Sequence, residues 1–129
     1  MKVLDSDMLV GVLRKNEDAI RKYEDVREEE ISTTIFNAQE LLFGALISEH
    51  VETNFRAAKA LLDEIGILVY EERSMMETVK LQAQLEKKGR HVGIIDEMIA
   101  GICIANKSAI VTRNIKHFSK IPDIESEKW

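Results

Sequence analysis

Lys2-Val3-Leu4-Asp5-Ser6-Asp7-Met8 sets a short strand against a polar turn and the start of a helix. Residues 2–4 read as strand. Asp5, Ser6 and Asp7 bring the side-chain oxygens that cap helix N-termini, and residues 8–13 have helical apolar spacing. This strand–turn–helix unit then recurs along the chain. Residues 31–34 are β-rich and lead into a helix over 36–47, with Ala38, Leu41, Leu42, Ala45 and Leu46 at core spacing. Residues 67–70 form an apolar strand after a helix over 52–65 that Gly66 closes. Residues 109–112 form another strand after an apolar helix over 94–106.

Between these units, Asn16 caps a helix over 17–26, and residues 74–88 make a long helix closed by Gly89. Asn114 caps a short helical turn through Ser119. Residues 121–125 read as a last edge strand, with Pro122 tolerated near its start. Strands that alternate with helices predict an α/β fold: a parallel sheet covered on both faces. The polar tail after Ile124 ends on Trp129, and the pattern leaves open whether that tail is loose or docks through its indole.

With 129 residues, 45% of them hydrophobic and 32% charged, the chain suits one globular domain spanning 1–129 and excludes a disordered polyelectrolyte. The net charge of -5 argues against a protein that coats nucleic acid by broad phosphate neutralisation. It leaves room for an acidic metal site served by a local basic patch. The lone Cys103 lies in an apolar run and reads as a buried small hydrophobe. Neither a leader-like apolar segment nor a membrane-length run is visible, so the expected location is the cytoplasm.

There is no Gly-rich phosphate loop, no nucleophile elbow and no paired-histidine metal helix. The chemistry left is that of acids in awkward places. Asp5 ends the first strand, where ligands of parallel sheets bind; the same residue also suits a helix N-cap. Glu40 shares its helix face with Phe36, Phe43 and Gly44. A carboxylate among such neighbours needs a cation or a hydrogen-bonding partner, unless it reaches solvent at the edge of the stripe. Asp96 lines up with Ile99, Ala100 and Cys103, and also suits the positive end of a helix. Its neighbour Glu97 either supports the site from behind Asp96 or is merely solvated, and solvation is the preferred reading. Carboxylates gathered at one place repel one another, and Mg²⁺ or Mn²⁺ relieves that repulsion through hard oxygen ligands.

Four fragments resemble PIN domains, in particular the VapC-type ribonuclease toxins of prokaryotic toxin–antitoxin pairs. Val3-Leu4-Asp5-Ser6-Asp7 is similar to the family's opening, a hydrophobic residue, Asp, Thr or Ser, then a small polar residue. Glu40-Leu41-Leu42-Phe43-Gly44 is similar to its Glu-Leu-x-Tyr/Phe-Gly helix. Asp96-Glu97-Met98-Ile99-Ala100 is similar to its Asp-x-x-Ile-Ala helix. Ile110-Val111-Thr112-Arg113-Asn114, followed by His117-Phe118, is similar to its late strand and turn. Each fragment is short; their order and spacing carry the resemblance over nearly the whole chain.

The resemblance implies a three-layer fold with about five parallel strands and helices on both faces. It implies a metal-dependent endoribonuclease whose catalytic acids are Asp5, Glu40 and Asp96, with Asp5 and Asp96 as metal ligands for Mg²⁺ or Mn²⁺. Asn114 stands where many relatives carry a fourth Asp. It brings an oxygen but no charge, so one tightly held ion is expected, and a second would arrive with the RNA phosphate. Thr112 would lie near the site. Homodimers and a cognate antitoxin that blocks the site are also implied, with helices 8–13 and 36–47 as interface material.

Arg113, Lys116, His117 and Lys120 form a small basic group that either grips RNA phosphates or is a solvated turn. Phe118 reads as a core anchor. Two other functions compete. A receiver-type signalling domain would need an acid after the third strand and a Lys after the last, and the chain fits this poorly at Val69-Tyr70-Glu71 and Thr112. A PIN-like RNA- or protein-binding module weakened in catalysis is the reading Asn114 would support.

Overall fold

The computed structural model describes residues 1–129. Five strands form one parallel sheet in the order β3-β2-β1-β4-β5. They are β1 (Lys2–Leu4), β2 (Ile31–Thr34), β3 (Ile67–Leu68), β4 (Ala109–Val111) and β5 (Ser126–Glu127). The helices are α1 (Ser6–Leu13), α2 (Glu17–Val26), α3 (Ile35–Leu46), α4 (Val51–Ile65), α5 (Glu72–Lys87), α6 (Ile94–Ala105) and α7 (Ile115–Phe118).

Side chains alternate across the central strands, and this builds the three layers. Leu4 and Val111 face a core made with α1, α2, α3 and α4. Val3 and Ile110 face the other way, into a core with Leu81 and Leu85 of α5, Ile99, Ala100 and Cys103 of α6, and Phe118. The predicted parallel α/β architecture and Phe118 as a core anchor are both observed. Cys103 is fully buried, and burial pushes its thiol well above the usual range. No helix is long and apolar enough to cross a membrane.

The chain runs outward from β1 through β2 to β3, then returns to β4 on the other flank of β1. The carboxyl ends of β1 and β4 therefore meet at the switch point of the sheet, where a crevice forms. The backbone N–H of Asp5 donates to Val111 O across that junction (3.0 Å).

The last strand differs from its predicted position. It lies at Ser126–Glu127 rather than 121–125. Ile121 is drawn into the core, and Asp123 takes a left-handed φ of 67° that breaks any extended run there. The third strand is also shorter than predicted, ending at Leu68. The segment after β5 is docked: the Trp129 indole packs against the α1–α2 side of the core. Lys2 and Lys22 both pair with Glu127, fastening the edge strand.

α6 packs closely against α5 through Gly101. A Cβ at Gly101 would lie 2.7 Å from the backbone oxygen of Ser74 and would overlap the Thr78 hydroxyl. Both neighbours are buried and fixed, since Thr78 donates to Ser74 O at 2.8 Å. Gly101→Ala should therefore cost about 3 kcal/mol of stability through overpacking. Denaturant unfolding measures this, and a midpoint equal to that of the unaltered protein would contradict the packing described.

Candidate active site

Asp5 follows β1 and caps α1, so both roles weighed from the sequence fall on one side chain. Its Oδ1 accepts from the Ser6 amide (2.9 Å) and from Asn37 Nδ2 (2.8 Å). Its Oδ2 accepts from the Thr112 hydroxyl at the end of β4 (2.7 Å). Burial pushes the carboxyl up, and the charges of Asp7 and Asp96 add to that. The Thr112 and Ser6 hydrogen bonds oppose them, and the balance is about 6 against an ordinary 3.8.

Glu40 reaches this centre through a relay. Ser6 Oγ donates to Glu40 Oε2 (2.7 Å) and accepts from Asn37 Nδ2 (2.9 Å). The buried-carboxylate argument for Glu40 does not hold: the residue is exposed. Phe43 beside it is 61% exposed, whereas Phe36 packs inward against Tyr70 and the α5–α6 core. Asp96 sits on the first turn of α6, close enough for its charge to raise Asp5. Its Oδ2 pairs with His117 Nε2 at 2.6 Å. Asn114 is exposed at the mouth; its backbone N–H donates to Thr112 Oγ1 (2.9 Å), and its side chain makes no capping bond.

Glu97 is the clearest correction. Expected in solvent, it is 5% exposed. It accepts from the amides of Val92 (3.0 Å) and Gly93 (3.3 Å) and from Gln82 of α5 (3.1 Å). Burial pushes its carboxyl up. The bonds from Val92, Gln82 and Gly93, with nearby His91, outweigh that and hold it below the usual carboxylate range.

Glu97 thus ties down the loop that starts α6, where Gly93 has a φ of 128°. Glu97→Ala leaves those donors unpaired and should lower stability by about 2–3 kcal/mol. Because the folded pKa is depressed, this stabilisation is present above the unfolded pKa and fades as pH falls through the folded one. Thermal unfolding at neutral and acidic pH checks both points: a loss that does not shrink in acid would contradict the assignment.

Two participants were not singled out from the sequence. Asn37 is 1% exposed and links Asp5 to Ser6. Its own carbonyl oxygen accepts from Thr34 Oγ1, the N-cap of α3 (2.7 Å). The available signal was the Thr34-x-x-Asn37 spacing of a helix cap just after a strand. Asp7 accepts one firm hydrogen bond on each oxygen. Oδ2 accepts from the Arg113 amide (3.1 Å) and lies 3.2 Å from Thr112 Oγ1, while Oδ1 accepts from Trp129 Nε1 (2.8 Å).

The structure thus links Asp5, Glu40, Thr112 and Asn37 by direct bonds and brings Asp96 near by charge. No three acidic, His or Cys side chains converge tightly enough to enclose an ion by themselves. The donor set nevertheless suits a hard divalent cation. Such ions are commonly held by one or two carboxylates, with water and substrate oxygens filling the shell, and a desolvated aspartate under two further negative charges favours a cation.

Fold and site together define a three-layer α/β protein with an acidic centre at the switch point of its sheet. The chain belongs to the PIN domain family, whose pattern matches residues 2–124. It is 27% identical over 127 residues to the tRNA(fMet)-specific endonuclease VapC of Salmonella typhimurium, covering 98% of this chain and 96% of the relative. It is also 27% identical over 129 residues to Ribonuclease VapC2 of Rickettsia felis, with the same coverages. Among solved structures it is similar to VapBC2 of Rickettsia felis bound to a promoter DNA fragment. There the TM-score is 0.90 at 25% identity, covering 99% of this chain and 98% of that one. DNA-bound VapBC of Salmonella typhimurium gives a TM-score of 0.89 at 26% identity, covering 99% and 97%.

Proposed function

We propose that this chain is a VapC-type endoribonuclease that hydrolyses RNA phosphodiester bonds and is restrained by an antitoxin partner. The observation that carries the reading is the half-buried Asp5 carboxyl at the switch point, raised to about 6 by desolvation and by the charges of Asp7 and Asp96. Asp5 and Asp96 would hold Mg²⁺ or Mn²⁺. Such an ion supplies an activated water and offsets charge developing on the phosphate. Thr112 and Asn37 fix the Asp5 carboxylate from two sides. Glu40, exposed and hydrogen-bonded by Ser6, would take up a proton from the attacking water. Asn114 contributes an uncharged oxygen at the mouth.

A groove of about 240 Å³ between α1, α3 and α4 opens at Ser6 and Glu40 and is floored by Leu41, Ala45 and Ala58. It suits an antitoxin segment that carries a basic side chain to the acids. Beside it, Phe43, Leu46 and Ile47 are 61%, 56% and 69% exposed, an apolar surface for a partner or a second copy. Of the two helices considered as interface material, residues 8–13 are mainly core, since Met8 and Leu9 are fully buried.

The test is cleavage of single-stranded RNA by the purified protein with Mg²⁺, with Mn²⁺ and with a chelator. Cleavage should occur with the divalent ion and stop with the chelator. Folded protein that binds RNA but never cuts it, with either metal, would instead make the chain a binding module.

A further inference from the structure

Next to the acidic centre lies a cleft of about 450 Å³ lined by Ser6, Asp7, Arg14, Glu40, Arg113 and Trp129. Ligand clefts begin at about 300 Å³, so it has room for a nucleotide. Arg113 is held there from both ends. Its backbone N–H donates to Asp7, and its guanidinium stacks on the Trp129 ring, 3.8 Å from the centroid. The ring is itself fixed: its N–H donates to Asp7 Oδ1, and its benzo edge fills a slot above Gly11. A Cβ at Gly11 would come within 2.8 Å of Trp129 Cη2 and 2.7 Å of Ala19 Cβ. The slot therefore requires glycine.

We propose that Arg113 and Arg14 bind a phosphate of the RNA next to the one that is cut, and that Trp129 is the positioning residue that aims Arg113. The proposal rests on the ribonuclease reading for the identity of its ligand. Stacking occupies a face of the guanidinium and leaves its N–H edge free for a phosphate. A side chain fixed in advance loses little freedom on binding. The only acid paired with Arg113 is Asp18, at 3.9 Å, and both side chains are largely exposed, so the pair yields easily. Arg14 is exposed and has no acidic partner. Asp7 and Glu40 also line the cleft and oppose a phosphate, so the two guanidiniums must outweigh them. Arg14 and Arg113 thus put two cations on the wall of one cleft in a chain of net charge -5.

The experiment is binding of the full chain to a single-stranded oligoribonucleotide in chelator, so that cleavage plays no part, across a series of salt concentrations. Arg113→Ala should weaken binding about tenfold. It should also flatten the slope of log affinity against log salt by about 0.7, the value of one phosphate contact. Arg113→Lys should restore the slope and only part of the affinity. Trp129→Ala, checked for folding by its melting curve, should reproduce much of the Arg113→Ala effect although it removes no charge. With Mn²⁺ present, both alanine variants should raise KM more than they lower kcat.

An unchanged salt slope in Arg113→Ala overturns the proposal. So does a Trp129→Ala protein that binds like the unaltered chain, or the absence of any RNA binding. RNA that binds with the expected slopes and is never cut would refute the ribonuclease reading and leave the phosphate site standing.

Discussion

Asp5→Asn should abolish RNA cleavage, a loss of at least about a thousandfold, and at neutral pH it should make the protein more stable. The two effects share one cause. The carboxyl is held at about 6 in the folded protein against an ordinary 3.8, so above pH 6 folding requires a half-buried negative charge beside two others. The folded-state pKa is the raised one. The stabilisation from holding the proton is therefore complete below the unfolded pKa and disappears as pH rises through 6.

A neutral amide of the same shape removes that cost, which is of order 2 kcal/mol after allowance for partial solvation. Its N–H can donate to Thr112 Oγ1, whose proton then turns to Asp7 Oδ2, 3.2 Å away. The melting temperature at pH 7.5 should rise by roughly 6 °C, and the gain should vanish near pH 4. A variant that cuts RNA normally, or melts lower at neutral pH, would show that Asp5 is not the strained centre described.

The second large effect concerns the divalent ion. At pH 7.5, Mn²⁺ or Mg²⁺ at a hundred times its dissociation constant should stabilise the protein by about 2.7 kcal/mol. Near pH 5 the Asp5 carboxyl carries a proton that the ion must displace, so the same concentration should stabilise far less. Asp96→Asn should abolish both this response and RNA cleavage. It should leave the melting temperature of the ion-free protein within a few degrees, because Asp96 is only a minor contributor to the rise at Asp5. Melting curves at the two pH values, with and without ion, separate this account from non-specific salt effects. An equal shift at both pH values, or a shift that survives in Asp96→Asn, would refute it.

The fold was legible because it rests on pattern. Val3 and Leu4, or Ile110 and Val111, alternate between two cores, and a parallel sheet needs such strands wherever helices separate them. Asp5 was legible because a polar residue that ends a central strand has few other places to be. The misreadings share a physical origin: periodicity shows which helix face a side chain is on, and not what stands opposite. Glu40 looked buried because Phe36, Phe43 and Gly44 flank it, yet Phe43 and Gly44 lie in solvent and only Phe36 turns to the core. Glu97 looked solvated, yet Gln82 and the loop amides of Val92 and Gly93 close over it. Asn37 and Trp129 were illegible for the same reason: their partners lie far away in sequence or on another element. The shift of the last strand to Ser126–Glu127 reflects a core demand for Ile121 that no local propensity expresses.

The order of the strands also fixes when the centre comes into being during synthesis. β1 is made well before β4, its neighbour at the switch point. Thr112, which holds Asp5, is 107 residues away, and Trp129, which holds Asp7, is 122 away. Until residues 109–111 dock, β1 has an open edge and Asp5 lacks one of its supports. A nascent chain ending before β4 can bury the α1–α4 side, but it cannot assemble the acidic centre. Such distant pairings form late, because closing a long loop comes before the contacts that reward it. The acidic centre is thus completed only after β4 and Thr112 have been made.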